Sequence, residues 1–321
     1  ASCGASEKPM NICCAWFDEK GAKVEHIADG RSFSIAHKTF VEQRAAMLAA
    51  KPRLHFGRIS PVSPVSPEVS DVITCVARTV HTEMQVLHHA HKETHTGGKT
   101  VSLGLVRFAN IDPLVAVAKA LMAIPSPQDV CIHYCVYHAR HPLAVRSAIE
   151  KCLDSAFTRH QPDTLWQHPD IAKALNLRPE KHHLFVVLGT SVMEVGRDWD
   201  SSWGIIEPSS MRSIIQFAGR IQRHRRVVPE NENLVILSSN IKALRKRSPA
   251  FCKPGFENKD HPLASHDLRE LLPPQDYQTI TALPRILPAN GENKLAELEH
   301  MRLREELLSS KSRQIIAANW W

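Results

Sequence analysis

From residue 101 onward, short apolar runs alternate with amphipathic stretches at a regular interval. The run VSLGLVRF reads as a buried strand, and Asn110 or Asp112 with Pro113 opens the helix PLVAVAKALMAI. DVCIHYCVY gives a second strand, followed by the helix HPLAVRSAIEKCLDSAF. HLFVVLG gives a third, ending at the Thr190 turn, and WGIIE a fourth, followed by a helix around Gln216. NLVILSS gives a fifth. Strands alternating with helices of this length predict an α/β fold, a parallel sheet with helices on both faces. Ligands on such sheets gather at the carboxyl ends of the strands, where the polar clusters of this chain fall.

Upstream the pattern is weaker. HKTFVEQRAAMLAA predicts one helix, and SPVSPVSPEVSD, with proline at every third position, predicts an extended linker. Ser70 or Asp71 is placed to cap a helix carrying the stripe Ile73, Val76, Val80, Met84 and Leu87. Beyond residue 249 the chain is proline-rich, and a charged amphipathic helix is expected near 293–310. The expected organisation is a linker region over 1–70, an α/β lobe over 71–248, and a partly irregular, helical accessory segment over 249–321. No internal repeat is visible.

Composition narrows the class of partner. With 321 residues, 43% hydrophobic and 23% charged, the chain has ample material for a core. A net charge of +7 and a pI near 9.0 favour a polyanionic partner. Eight cysteines without a CxxC pair read as reduced, mostly buried thiols of a cytoplasmic protein, and no metal site is expected. No apolar run reaches the roughly 20 residues of a membrane span. The start ASCGASEK and the end NWW read as cuts in a longer polypeptide.

Two motifs carry candidate chemistry. In GTSVMEVGRDWD, Thr190 offers a hydroxyl and a backbone N–H to a nucleic-acid phosphate, and Gly196 lets the backbone approach a nucleotide. Asp198 can accept from a ribose hydroxyl or pair with a neighbouring arginine, and a purely structural turn would use the same spacing. After one short strand comes Gln216-x-x-Gly219-Arg220-x-x-Arg223. Arg220 and Arg223 are expected three apart on one helical face, with Gly219 leaving room for a phosphate or a facing lobe. Arginine suits this task because its planar fork neutralises phosphoryl oxygens and stays charged. Arg212, Arg225 and Arg226 read as DNA footprint or surface.

The ordered pair TSVMEVGRD and QFAGRIQR resembles motifs V and VI of superfamily 2 helicases, which belong to the second RecA-like lobe. The fuller text EVGRDWDSSWGIIEPSSMRSIIQFAGRIQRHRR resembles the CRISPR-associated helicase–nuclease of type I systems, subtype I-F most closely. GLVRFANIDPLVAVAKAL and YCVYHARHPLAVRS are similar to its motif IV region and following loop. The resemblance covers residues 100–250 and is loose over the first 60 and last 70. Gln222 stands where ordinary RNA helicases have a second glycine, a departure that fits the CRISPR family.

The resemblance implies a role for each matching residue. Arg223 is placed as the arginine finger on the γ-phosphate, with Arg220 its companion, and Gln216 at the γ-phosphate or attacking water. Gly196, Asp198 and Gly219 would line the nucleotide. Thr190, Arg107, Asn110, His138 and Arg140 would contact the backbone of single-stranded DNA. ATP and Mg²⁺ would sit in a site shared with a first lobe absent from this chain. The other implied partners are a nuclease domain and a CRISPR surveillance complex. The chain alone is not expected to hydrolyse ATP, since a phosphate-binding loop and an Asp-Glu box are missing. Alternative readings are the lobe of another superfamily 2 enzyme and a catalytically silent docking module.

Three decoys are set aside. THTGGKT (94–100) ends like a phosphate-binding loop, but Glu93 replaces its first glycine and it precedes a strand. His88, His91 and His95 share a helical face without a carboxylate partner, and His266-Asp267 is a lone dipeptide. The basic run IKALRKRS reads as surface charge, with a DNA-tracking patch as the alternative.

Overall fold

The computed structural model describes residues 12–18, 21–161, 163–288 and 290–308. In chain order the elements are β1 (Ile12–Asp18), β2 (Gly21–Ile27), α1 (Gly30–Ala49), β3 (Gly57–Ser60), α2 (Val69–His91), β4 (Glu93–Thr94) and β5 (Thr100–Arg107). Then follow α3 (Ile111–Met122), β6 (Val130–Tyr137), α4 (Leu143–Phe157), α5 (Thr164–Gln167), α6 (Pro169–Leu177) and β7 (His182–Gly189). After a 3₁₀ turn (Ser191–Met193) come β8 (Trp203–Ile206), α7 (Met211–Ala218), β9 (Leu234–Leu237) and α8 (Ile241–Leu244). The chain closes with α9 (Leu268–Leu271), α10 (Pro274–Gln278), α11 (Leu283–Ile286) and α12 (Lys294–Leu308).

These elements form two compact units, one from described residues within 1–51, 282–289 and 300–321, the other from 52–281 and 290–299. In the first, β1 and β2 make an antiparallel hairpin, and Trp16 lies 5.0 Å from the Phe40 ring of α1. That helix starts seven residues before the sequence-based expectation, because Asp29 accepts from the Ser32 N–H at 2.7 Å and caps it.

The second unit is the expected α/β lobe. Six parallel strands lie in the order β3-β9-β8-β5-β7-β6, and β4 adds antiparallel to β5. Successive strand residues point to opposite faces, so each strand serves two cores. Leu103 and Leu105 pack with Phe157, Trp199 and Phe217 on one face. Val106, Leu188 and Ile205 pack on the other with the α2 stripe Ile73, Val76, Val80, Met84 and Leu87, all buried as expected. Gly104 permits a close approach at the centre, since a Cβ there would meet the Trp203 ring at 2.1 Å.

Several boundaries differ from the expectation. β3 lies in the stretch read as linker, and it pairs with β9 at the edge of the sheet. Four residues with a central Arg58 carry no legible pattern, and that arginine is neutralised by Glu83 of α2. The cap expected from Ser70 or Asp71 is not made: α2 starts at Val69, and Asp71 accepts from the Ser66 hydroxyl at 2.6 Å. After residue 249, Phe251, Leu268, Leu271 and Leu272 are buried in the same core as the sheet. Ile280 donates its N–H to the His55 carbonyl at 2.9 Å, tying this irregular segment to the lobe.

Candidate functional site: the loop after β7 and the end of α7

The loop after β7 is anchored on one side and open on the other. Thr190 is extended and nearly buried, and the turn after it ends at Glu194. Gly196 follows with φ +68°, a left-handed conformation that favours glycine, and open space lies where its Cβ would be. Arg197 then donates to the Tyr137 hydroxyl at 2.9 Å and to Asp154 at 3.0 Å. The Trp199 indole donates to the same Asp154 at 2.6 Å. With Arg197 and Trp199 held against α4, the intervening Asp198 faces solvent, its side chain 61% exposed.

The arginine motif enters from the adjoining helix. Ser210 and Ser213 form a reciprocal cap at the start of α7, and Gln216 is exposed on its surface. The helix ends at Ala218 with Gly219 as its cap, so Arg220 and Arg223 are not on the helical face that their spacing suggested. The cause is Ile221, which is fully buried and pairs beside Ser201 instead of continuing the helix. The Ser201 N–H donates to the Arg220 carbonyl at 2.8 Å, and the Gln222 N–H to the Ser201 carbonyl at 3.1 Å. Gln222 takes φ +52° as the chain turns.

This turn brings the two motifs together. Arg223 Nε donates to Asp198 Oδ1 at 2.5 Å, and the His224 ring lies 3.2 Å from the same oxygen. His224, followed by Arg223, holds the Asp198 carboxyl below the ordinary aspartate value. Arg220 donates through Nη2 to the backbone carbonyl of Glu194, and its Nε is buried without a hydrogen-bond partner among the described residues. Burial, then the charge of Arg223, pulls the Arg220 guanidinium below its usual value. The end of α7 thus carries two neighbouring guanidiniums, one exposed and one half-buried, opposite a loop that includes an open glycine. The bridge to Ser201 ahead of β8 puts this turn at the amino end of that strand, not at the carboxyl ends expected.

Arg225 corrects an expectation. It is not a surface residue but a clamp, donating to both oxygens of the fully buried Asp200 at 3.0 and 2.9 Å and to Glu93 at 2.9 Å. Glu93 also takes Arg159 at 2.5 Å, and that side chain is only 3% exposed. The residue that spoils the phosphate-loop pattern therefore neutralises two interior arginines. Arg226 and Arg212 are exposed, the latter over the Phe256 ring at 5.0 Å.

Arg107 is a second correction. It closes β5 at the correct edge, but its side chain is 1% exposed and donates to Glu194 at 2.8 Å and to the Glu207 carbonyl at 3.0 Å. A DNA phosphate has no access to it. Glu207 is fully buried, and its carboxylate accepts the N–H groups of Ala109 and Ile241 at 2.7 and 2.8 Å. Asn110 caps α3 by its backbone, and Arg140 is exposed and paired with Asp112. His138 stacks on His141 at 4.0 Å. These three line the β5 and β6 ends of the edge with Thr190 at the end of β7.

The decoys resolve structurally. THTGGKT is a tight hairpin between β4 and β5, and the Lys99 ammonium binds the Leu175 and Arg178 carbonyls at the end of α6. His88 is bonded to Ser102 at 2.7 Å, His91 to the Glu232 carbonyl at 2.9 Å, and His266 to Glu257 at 2.9 Å. Among the described residues, three sets of side chains have metal-ligating atoms within 4.8 Å: Cys131/His133/His183, Cys152/His168/Asp170 and His160/Asp198/His224. Each already spends ligand atoms internally. His133 bonds His183 at 3.1 Å, the Cys152 thiol donates to Asp170 at 3.2 Å, and Asp198 holds Arg223.

Comparison with known proteins agrees with the motif reading. Residues 100–226 match a family described as CRISPR-associated nuclease/helicase Cas3, C-terminal. The CRISPR-associated nuclease/helicase Cas3 subtype I-F/YPEST of Pectobacterium atrosepticum is 49% identical over 331 residues, 99% of this chain and 30% of that protein. Its counterpart in Pseudomonas aeruginosa is 44% identical over 325 residues, with the same coverages of 99% and 30%. The similarity therefore also runs through the terminal stretches, where the motifs alone gave a loose likeness. The chain spans about 30% of the length of the curated relatives it matches. Among solved structures, T. fusca Cas3 with AMPPNP aligns at 16% identity and a TM-score of 0.46, over 92% of this chain and 30% of that one. No helix among the described residues is long and apolar enough to cross a membrane.

Proposed function

Because the chain corresponds to the C-terminal part of the subtype I-F Cas3 nuclease/helicases, we propose that it forms the second lobe of an ATP-driven motor on single-stranded DNA. In this reading ATP and Mg²⁺ bind between this lobe and a first lobe carried elsewhere in the protein. Arg223 and Arg220 then neutralise charge that develops on the transferred phosphoryl group. Gln216 meets the γ-phosphate or the attacking water, while Gly196, Asp198 and Gly219 line the nucleotide. Thr190, Asn110, His138 and Arg140 track the DNA backbone along the carboxyl edge of the sheet. The motor feeds the single-stranded DNA to the nuclease domain, and a CRISPR surveillance complex is a partner of the whole protein.

The observation that carries this reading is the Arg223–Asp198 pair. It joins two motifs 25 residues apart at a solvent-facing surface, with the arginine's charge held by one exposed carboxylate. A phosphate can replace that carboxylate without leaving a buried charge unpaired, whereas Arg225 and Arg107 could not be released on such terms. The test is DNA-stimulated ATP hydrolysis by the full-length protein. Arg223→Ala should lower turnover by roughly 10³–10⁵, and unchanged turnover would instead favour a silent docking module. This chain alone should show no turnover.

A further inference from the structure

Arg107 lies between the two faces of the proposed motor. Its backbone continues through Phe108 and Ala109 to Asn110, which is proposed to contact DNA. The Phe108 N–H donates to the Gly189 carbonyl at 2.8 Å, and the Glu207 N–H to the Arg107 carbonyl at 2.8 Å. Its side chain points into the protein and meets Glu194, itself 3% exposed, at 2.8 Å. Glu194 ends the turn after Thr190, and its own carbonyl accepts the guanidinium of Arg220.

We infer that Arg107 and Glu194 are positioning residues for Arg220, holding it in place through a buried ion pair that also braces the DNA-facing strand end. The inference rests on the proposed role of Arg220 at the nucleotide. Its physical basis is rigidity. A long side chain anchored by one carbonyl is only as well placed as the backbone that offers that carbonyl. The Glu194 backbone is fixed because its carboxylate is buried and must stay with Arg107. Arg107 in turn is fixed by the Glu207 carbonyl at 3.0 Å, on the neighbouring strand end. A shift of the β5 end on DNA contact would therefore reach Arg220 through two side chains and one carbonyl.

The test is a double-mutant cycle in the full-length protein, read by DNA-stimulated ATP turnover. Arg107→Lys and Glu194→Gln, each checked for folding by thermal denaturation, should lower kcat about tenfold or more and leave the KM for ATP nearly unchanged, as expected when a transition-state contact is misplaced. Combined with Arg220→Ala, either change should add almost nothing, because the residue through which it acts is gone. Arg107→Lys keeps both buried charges, so it carries the test if Glu194→Gln, which leaves the guanidinium without its counter-charge, does not fold. Losses that multiply on Arg220→Ala, or wild-type turnover in both single variants, would overturn the inference while leaving the nucleotide role of Arg220 standing. Wild-type turnover in Arg220→Ala itself would overturn both.

Discussion

Asp198 Oδ1 accepts from Arg223 Nε at 2.5 Å, so the two motifs read separately along the sequence meet in one ion pair. Both partners are well exposed, at 61% and 42% of their side chains. Such pairs contribute roughly 0–1 kcal/mol. Asp198→Asn should therefore change the unfolding free energy of the lobe by less than about 1 kcal/mol, measured by denaturant titration. A much larger loss would show that the pair is part of the framework and not a releasable contact.

The Arg225 clamp should behave in the opposite way. Asp200 is fully buried and holds Arg225 through both oxygens. Removing it leaves an interior guanidinium beside Arg159 with only Glu93 between them. Asp200→Ala should destabilise the lobe by about 3–5 kcal/mol, whereas Arg226→Ala should stay within about 0.5 kcal/mol. Chemical denaturation of the two variants side by side distinguishes clamp from surface.

Two glycines should separate packing from conformation. At Gly104 an added methyl would meet the Trp203 ring at 2.1 Å, so Gly104→Ala should cost about 1–3 kcal/mol by overpacking the sheet centre. Gly219 has φ −64°, and its Cβ would come no closer than 3.4 Å to the Gln216 carbonyl. Gly219→Ala should leave the melting temperature nearly unchanged, so any loss of ATP turnover in the full-length protein would report contact with nucleotide or facing lobe.

Burial gives the lobe a defined pH dependence. The Ser102 hydroxyl accepts from the Trp203 indole at 3.0 Å and is hydrogen-bonded to His88 Nδ1 at 2.7 Å. Burial, then the neighbouring His182 and Lys92, pushes the His88 pKa from 6.5 down to about 3 and so keeps the ring neutral. In the unfolded chain the ring takes up a proton near 6.5, while the folded ring does not. The associated stability is present above pH 6.5 and is lost as pH falls from there towards about 3. His88→Gln should flatten the fall in stability below pH 6.5 by up to about 1.4 kcal/mol per pH unit, followed by denaturation midpoints across that range.

Much of this lobe was legible because its burial is periodic. The α2 stripe and the runs of β5 and β7 announce one or two buried faces, and all five stripe residues are interior. β3 was not legible, since four residues containing a charged Arg58 show no alternation and gain their place only through pairing with β9, far along the chain. At the site, residue types were readable, but partners were not, and the arginine turn lies at the amino end of β8 and not at the carboxyl ends expected. Arg107 looks like any strand-end arginine until Glu194, 87 residues later, folds onto it. Arg220 and Arg223 looked helical because nothing local says that Ile221 will leave the helix to reach the core. Arg225 looked superficial because Asp200 and Glu93 reach it from other segments.

The central claim is that the exposed Arg223 serves a nucleotide shared with another lobe. Its most direct measurement is steady-state ATP hydrolysis by the full-length protein, with and without single-stranded DNA, for wild type and Arg223→Ala. The account predicts DNA-stimulated turnover in the wild type and a loss of roughly 10³–10⁵ in the variant at unchanged melting temperature. Equal turnover in the two proteins would contradict it and leave the arginine turn with a binding role alone.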